Sequence, residues 1–90
     1  MLKTHIIIVN YNVKYFLRQC LQSIYETDDH VTKEIWVVDN ASMDGSNEMV
    51  ATEFPEVQLI KNLDNVGFSK ANNQAIRRAT GKNILLLNPD

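Results

Sequence analysis

The strongest structural signal in this sequence is its final stretch, Asn83-Ile84-Leu85-Leu86-Leu87-Asn88-Pro89-Asp90. An apolar run stops there at a polar tripeptide that ends in a carboxylate. A run of this length, bounded by a proline, is typical of a strand buried on both faces in the middle of a parallel sheet. Ligands of open α/β sheets bind just past the carboxyl ends of such strands. We therefore expect chemistry at Asp90.

Three other segments are predicted to be strands because they are rich in β-branched and apolar residues. They run from Thr4 to Val9, from Glu34 to Val38 and from Val57 to Lys61. The third is less apolar than the others, so we place it at or near an edge of the sheet.

Amphipathic helices are predicted between these strands. The first begins after an N-cap at Asn12, the second runs from a cap at Ser42 or Asp44 to about Glu53, and the third ends before Gly81. Their apolar residues recur at helical spacing. The predicted buried faces are Val13, Phe16, Leu17, Cys20, Leu21 and Ile24; Met49, Val50 and Phe54; and Phe68, Ala71, Ala75, Ile76 and Ala79.

The alternation of strands and helices predicts a three-layer α/β/α fold with a Rossmann-like parallel sheet in the order 3-2-1-4. The switch point of that order lies between strands 1 and 4. Polar residues at three carboxyl ends would converge there: Asn10 to Asn12, Asp39 with Asn40, and Asn88 with Asp90. This convergence predicts a nucleotide-type site.

Composition narrows the classes of function. The 90 residues fit one domain, and a net charge of -2 without a basic stripe argues against nucleic-acid binding. The single cysteine, Cys20, excludes an internal disulfide. No stretch is long and apolar enough for a membrane span, and no signal peptide is evident, so we expect a soluble, cytoplasmic protein. Without a cluster of His or Cys, a zinc site is not expected.

Single motifs leave alternatives open. Asp39 either binds a base or ribose, or caps a turn or helix. Gly67 either starts an anion-binding helix terminus or forms an ordinary tight turn. The tripeptide Asn88-Pro89-Asp90 either holds Mg²⁺ or Mn²⁺ beside a diphosphate, or starts a turn. One of Asn72 and Asn73, both poor helix formers, is expected to make a packing or site hydrogen bond.

Four segments taken together resemble a known family. They are I-I-V-N-Y-N (Ile7 to Asn12), V-V-D-N-A-S-M-D-G-S (Val37 to Ser46), N-V-G-F-S-K-A-N-N (Asn65 to Asn73) and L-L-L-N-P-D (Leu85 to Asp90). In this order and spacing they resemble the family 2 glycosyltransferases. The asparagine-proline variant of the last segment looks most like the rhamnosyltransferase-type members.

This resemblance implies that residues 1–90 are the N-terminal, nucleotide-sugar-binding part of a GT-A glycosyltransferase domain, truncated at the C-terminus. It implies that Asp39 binds the base and that Asp90 holds a divalent metal, Mg²⁺ or Mn²⁺. Asn88 stands where the family's D-x-D motif usually has its first Asp. The full set of implied nucleotide-sugar-binding residues is Val9, Asn10, Tyr11, Asn12, Asp39, Asn65, Gly67, Phe68, Ala71, Asn72, Asn88 and Asp90.

The family's reaction sets further expectations. A sugar, with rhamnose as the suggested case, would pass from a UDP- or dTDP-sugar to a saccharide or lipid-linked acceptor by inverting displacement. The catalytic base would lie downstream, so these 90 residues alone would not turn over. A homodimer through the exposed edge of strand 4 is expected. The full-length protein would act at the inner face of the cytoplasmic membrane, in polysaccharide or cell-wall assembly.

Other classes of protein fit less well. A sugar-nucleotide nucleotidyltransferase would be expected to carry a Gly-rich, Arg-containing phosphate loop after strand 1. A dinucleotide oxidoreductase would need G-x-G-x-x-G at the same place. This chain has Asn10-Tyr11-Asn12 instead. A response regulator would want an acidic pair at that place. A non-catalytic nucleotide-binding or assembly module on the same fold stays open.

Overall fold

The computed structural model describes residues 3–27, 32–79 and 83–88. The elements are β1 (Lys3–Asn10), α1 (Lys14–Glu26), β2 (Thr32–Asn40), α2 (Ser46–Glu53), β3 (Gln58–Asn62), α3 (Phe68–Arg78) and β4 (Asn83–Leu87). The strands pair in parallel in the order β3-β2-β1-β4. The predicted fold class and strand order are confirmed.

Two helical layers cover the sheet, which explains why β1 and β2 are apolar without alternation. Successive side chains of a strand point to opposite faces. Ile6 and Ile8 of β1 pack with Leu17 and Leu21 of α1, in a cluster that also contains residues of α2. On the opposite face, the residues of β1, β2 and β3 pack against α3. The cluster on that face consists of Ile7, Trp36, Val38, Ile60, Ala71 and Ala75.

Strand β4 departs from the prediction that it is buried on both faces. Within the described residues it has one neighbouring strand, β1, and it lies at the sheet edge. Ile84, Leu85 and Leu86 are 39%, 47% and 45% exposed. The reason is that α3 packs over β1 and β2, whereas Leu87 is the described residue of β4 that packs against the cluster beneath α1 and α2. The prediction of a doubly buried strand was wrong for these residues.

The start of α1 also differs from the prediction. The N-cap residue is Val13, which makes no side-chain cap hydrogen bond, rather than Asn12. Asn12 has a left-handed backbone with φ of 51°, and its Oδ1 accepts a hydrogen bond from the Met43 N–H at 2.8 Å. The first amide of α1 is instead satisfied from a distant loop, because Lys14 N donates to Asp44 Oδ2 at 2.9 Å.

The same aspartate serves the start of α2. Its N-cap position is Gly45, with φ of 85°, rather than the predicted Ser42 or Asp44. The Asp44 Oδ1 oxygen accepts hydrogen bonds from the backbone N–H of Ser46, at 3.0 Å, and from the Ser46 hydroxyl. Asp44 therefore joins the N-termini of two helices.

Most predicted buried faces are confirmed, with two exceptions. Met49 and Val50 are buried in α2, and Phe54 packs against the same cluster. Phe16 and Phe68 are 55% and 57% exposed, because each lies in the first turn of its helix at the carboxyl edge of the sheet. The prediction for Gly81 falls outside the described residues. Within those residues, none of the helices has the length and apolarity needed to cross a membrane.

Candidate functional site

A cleft of about 310 Å³ opens at the carboxyl edge of the sheet. It lies where the ends of β1, β2 and β4 meet the start of α3, which is the switch point of the strand order. Its lining residues are Val9, Tyr11, Val13, Asn40, Asn65, Gly67, Phe68 and Asn88. All but Val13 and Asn40 belong to the nucleotide-sugar-binding set that the family resemblance implies, and Asn40 is among the polar strand-end residues expected to converge here. A larger depression, of about 600 Å³, lies along the surface of α2. We favour the cleft because three strand ends converge there.

Two aromatic side chains form exposed walls of the cleft. Tyr11, just after β1, is 50% exposed, and Phe68, the first residue of α3, is 57% exposed. Aromatic faces of this kind bind planar rings by stacking. The cleft therefore offers apolar ring contacts next to polar strand ends.

Gly67 makes the turn between the cleft and α3. Its φ of 86° lies in the region that glycine adopts without strain, and no atom lies within 4 Å of where a Cβ would be. Its N–H donates to Asn65 Oδ1 at 2.9 Å, which fixes the turn. The first amides of a helix lack intrahelical acceptors and attract anions. The backbone conformation, rather than lack of space, requires glycine here.

Asn40 is the polar residue of β2 that reaches the cleft. It is the last residue of the strand and is 2% exposed. Its Nδ2 donates to the Gly67 carbonyl at 3.3 Å, and its Oδ1 accepts from Asn62 Nδ2 at 2.9 Å. The sequence places Asn40 beside Asp39 at this edge, and the family resemblance implies base recognition by Asp39 alone. The alternation of side chains along β2 was the signal that separates them, since Asn40 shares its face with Trp36 and Val38.

Asp39 lies on the other face of β2 and is fully buried. Its Oδ1 accepts from Asn10 Nδ2 at 2.8 Å. Its Oδ2 accepts from the Ser42 N–H at 2.8 Å and from Asn47 Nδ2 at 3.2 Å. The carboxylate therefore holds three donors from β1, the following loop and α2, and it does not line the cleft. Its contact with a base stays a prediction from the family resemblance.

Asn10 and Asn12 tie the loop after β1 to the loop after β2. The Ser42 hydroxyl accepts from Asn10 Nδ2 at 3.2 Å and from the Asn12 N–H at 2.9 Å. Together with the bond from Met43 to Asn12, these contacts fix the backbone on both sides of Tyr11. Asn10 is fully buried and Asn12 is exposed, and neither lines the cleft.

Ala71 and Asn72 lie beneath the cleft rather than in its wall. Ala71 is fully buried against the sheet. Asn72 is 4% exposed, and its Nδ2 has no hydrogen-bond partner among the described residues. Within the described segments, the hydrogen bond predicted for one of Asn72 and Asn73 is therefore not made by the buried Asn72 nitrogen, and Asn73 is exposed.

These features have counterparts in known proteins. The sequence profile of Glycosyl transferase family 2 matches residues 5–90. This chain belongs to glycosyl transferase family 2. The glycosyltransferase GlyA of Streptococcus pneumoniae serotype 4 is 34% identical to it, over 98% of this chain and 13% of GlyA. The uncharacterized glycosyltransferase YibD of Escherichia coli K12 is 33% identical, over 98% of this chain and 26% of YibD. The chain thus spans a small part of the length of these relatives.

Solved structures share the fold. The mannosyltransferase PcManGT from Pyrobaculum calidifontis, in complex with GDP-Man and Mn²⁺, superposes with a TM-score of 0.84 at 31% identity. That match covers 97% of this chain and 27% of PcManGT. Residues 1–349 of S. aureus TarS, in complex with UDP, give a TM-score of 0.87 at 26% identity, over 99% of this chain and 28% of that TarS fragment. The predicted GT-A fold of the family is thereby confirmed.

A divalent metal has no fitting ligand set among the described residues of this family member. They contain no group of three or more His, Cys, Asp or Glu side chains that could hold an ion. Hard cations such as Mg²⁺ prefer carboxylate oxygens, but Asn88 at the end of β4 supplies an amide. The Asp39 carboxylate already accepts three hydrogen bonds. The metal role predicted for Asp90 falls outside the described residues and stays a prediction.

Proposed function

We propose that this chain forms the nucleotide-binding half-site of a glycosyltransferase, and that its cleft binds the nucleotide of a nucleotide-diphosphate sugar. The observation that carries the proposal is the cleft at the switch point of the strand order. Tyr11 and Phe68 form its walls, and Asn40 lies at its floor. The complexes of PcManGT with GDP-Man and of TarS with UDP support it, because both proteins share the fold of this chain.

Each part of the cleft has a role in this proposal. The rings of Tyr11 and Phe68 stack on the base, since each leaves about half of its surface open. Asn40 contacts the polar edge of the base. The free amides at the start of α3, after Gly67, face the diphosphate. Asp39 and Asn10 keep the two loops in place from below.

The finer details of the donor and reaction rest on the family resemblance. The pair Asn88-Pro89 is the reason to propose a dTDP-linked rhamnosyl donor. In the reaction, a hydroxyl of a saccharide or lipid-linked acceptor displaces the nucleoside diphosphate at the anomeric carbon with inversion. The new bond joins the acceptor oxygen to that carbon, and the bond to the diphosphate oxygen breaks.

A thermal-shift titration tests the proposal. We would titrate the protein with UDP, dTDP and GDP, each with and without Mn²⁺. A nucleotide at about 100 times its dissociation constant should stabilise the fold by about 2.7 kcal/mol, which raises Tm by about 10 °C or more in a domain of this size. A larger shift with dTDP than with UDP would support the rhamnosyl donor.

Two variants locate the binding site. Phe68→Ala removes a ring that lines the cleft, and we expect it to reduce the shift. Tyr15→Ala removes a ring that is 75% exposed but lies outside the cleft, and the shift should persist. If no nucleotide raises Tm of the folded wild type, or if Phe68→Ala and Tyr15→Ala behave alike, the proposed cleft is wrong.

A further inference from the structure

Three side-chain amides form a continuous hydrogen-bonded chain that ends at the cleft. Asn62, at the end of β3, and Gln74 of α3 pair reciprocally. Asn62 Nδ2 donates to Gln74 Oε1 at 2.8 Å, and Gln74 Nε2 donates to Asn62 Oδ1 at 2.9 Å. Asn62 Nδ2 also donates to Asn40 Oδ1 at 2.9 Å, and Asn40 Nδ2 donates to the Gly67 carbonyl at 3.3 Å. We call these residues, Gln74, Asn62 and Asn40, the amide chain.

The direction of the amide chain is set at its end. The Gly67 carbonyl can only accept, so the atom of Asn40 that faces it must be the NH₂ group. Asn40 Oδ1 then faces Asn62, which must donate. The Asn62 NH₂ group donates one hydrogen to Asn40 Oδ1 and the other to Gln74 Oε1, so both of its hydrogens are used. Asn62 Oδ1 accepts from Gln74 Nε2. Rotating any one amide by half a turn would place two acceptors or two donors against each other.

This arrangement determines what Asn40 offers to a ligand. An amide nitrogen carries two hydrogens, and only one of them is directed at Gly67. The other remains on a residue that lines the cleft, while the Asn40 oxygen is held by Asn62. A donor rather than an acceptor is therefore the group that Asn40, which is 2% exposed, has left for a ligand. Neither Asn62 nor Gln74 lines the cleft.

We propose that Asn62 and Gln74 are positioning residues that hold the Asn40 amide as a donor, so that the cleft selects a base with a carbonyl oxygen at the contacted edge. The inference rests on the proposed function and adds base selection to it. Uracil and thymine carry a carbonyl where cytosine carries an amino group. A neutral hydrogen bond that is made with one base and lost with the other corresponds to roughly a three- to tenfold preference for UDP over CDP.

Two isosteric variants test the amide chain. Asn62→Asp removes the donor to Asn40 and places a carboxylate against the Asn40 oxygen. Gln74→Glu removes only the donor to Asn62 and keeps an acceptor, so it is the milder change. Asn73→Asp is the matched control, because Asn73 is the exposed neighbour of Gln74 on α3 and the change adds the same charge.

The readout is the ratio of the dissociation constants for CDP and UDP, measured by calorimetry on variants shown to be folded. We expect a ratio of roughly three to ten in the wild type and Asn73→Asp, and a ratio near one in Asn62→Asp. The ratio for Gln74→Glu should lie between the wild-type value and that of Asn62→Asp. A general loss of stability would weaken both nucleotides equally and leave the ratio unchanged. Folded variants that keep the wild-type ratio would overturn the inference, whereas a wild type that binds neither nucleotide would overturn the proposed function itself.

A second measurement needs no variant. In ¹⁵N spectra of the wild type, UDP should shift the side-chain amide resonances of Asn40 and leave those of exposed Asn73 unchanged. The Asn62 amide hydrogens, both of which are hydrogen-bonded, should exchange with solvent more slowly than those of Asn73. Asn40 resonances that do not move while UDP binds would contradict the inference.

Discussion

The side chains of Asn10 and Asp39 are joined across neighbouring strands, with Asn10 Nδ2 2.8 Å from Asp39 Oδ1. The two residues form the last register pair of β1 and β2, and both are fully buried. A buried carboxylate is tolerated only when donors satisfy it. Because Ser42 and Asn47 supply the remaining donors, Asp39 fastens the strand ends that support the cleft.

We expect Asp39→Ala to lower the free energy of unfolding by about 2–4 kcal/mol, because buried donors from β1, the loop and α2 lose their acceptor. Urea unfolding measures the loss. Asp64→Ala, at an exposed aspartate, should change the value by no more than about 0.5 kcal/mol. Equal effects of the two substitutions would show that the buried network contributes nothing. A stability loss of this size makes Asp39→Ala a poor probe of nucleotide binding.

Asp44 should make stability depend on pH in the acid range. Desolvation raises its pKa, but hydrogen bonds from the Ser46 side chain, the Lys14 N–H and the Ser46 N–H outweigh this and leave the pKa below its ordinary value. Its folded pKa is lower than its unfolded pKa. The resulting stability is therefore complete at neutral pH and is lost as the pH falls below about 4 toward the folded pKa.

Asp44→Asn checks this dependence, since asparagine is uncharged and offers one acceptor oxygen in place of two. We expect the variant to be about 1 kcal/mol less stable at pH 7, and the difference from wild type to shrink as the pH falls. Glu34, whose pKa is lowered chiefly by its hydrogen bond with Lys3, is common to both proteins and cancels in the difference. Parallel pH profiles of the two proteins would refute this role of Asp44.

Ala41 occupies the left-handed region, with φ of 65°, directly after β2. Non-glycine residues lose about 1–2 kcal/mol there, which exceeds the roughly 0.5–1 kcal/mol that glycine loses through chain entropy. Ala41→Gly should therefore leave the free energy of unfolding unchanged or raise it by up to about 1 kcal/mol. Ala51→Gly, at an exposed position in α2, should lower it by about 1 kcal/mol. Thermal unfolding of both variants measures these changes in the free energy of unfolding, and a loss of about 1 kcal/mol in both would contradict the prediction for Ala41.

The described residues of β4 carry no charge, whereas the opposite edge strand β3 carries Lys61. An unpaired, uncharged, apolar edge is prone to pair with another strand, and two copies of β4 do not repel each other. We expect a concentration-dependent dimer in analytical ultracentrifugation, and Leu85→Lys should make the protein monomeric. Leu63→Lys adds the same charge at a side chain that is 97% exposed, and it should leave the dimer intact. A wild type that stays monomeric at high concentration would contradict this expectation.

The sequence predicted the architecture because each element carries its own periodicity. The uninterrupted apolar run of β1 indicated two helical layers, and the weaker run of β3 indicated an edge. It did not predict the exposure of β4, since an apolar run shows that a strand can be buried, not that a helix covers it. The cap of α1 was missed for a similar reason. Asn12 is a residue type that commonly caps helices, but the first amide of α1 is bound by Asp44 from the loop after β2.

The candidate site was predictable where residues follow strand ends directly, as Tyr11, Phe68 and Asn88 show. Whether Asp39 or Asn40 faces the cleft depends on the alternation of side chains along β2, because adjacent residues of a strand lie on opposite faces. The amide chain had no local signal at all. Asn62 and Gln74 are ordinary polar residues in sequence, and only the packing of α3 against β3 and β2 brings them together.

The pairing of β1 with β4 has a consequence for biosynthesis. The central strand of the sheet receives one neighbour from β2 but its other neighbour from the opposite end of the sequence. On a ribosome, β1 emerges early and keeps one hydrogen-bonding edge open until β4 has emerged as well. Nascent chains stalled before β4 should therefore be aggregation-prone and protease-sensitive, and protection should appear late and abruptly as β4 leaves the exit tunnel.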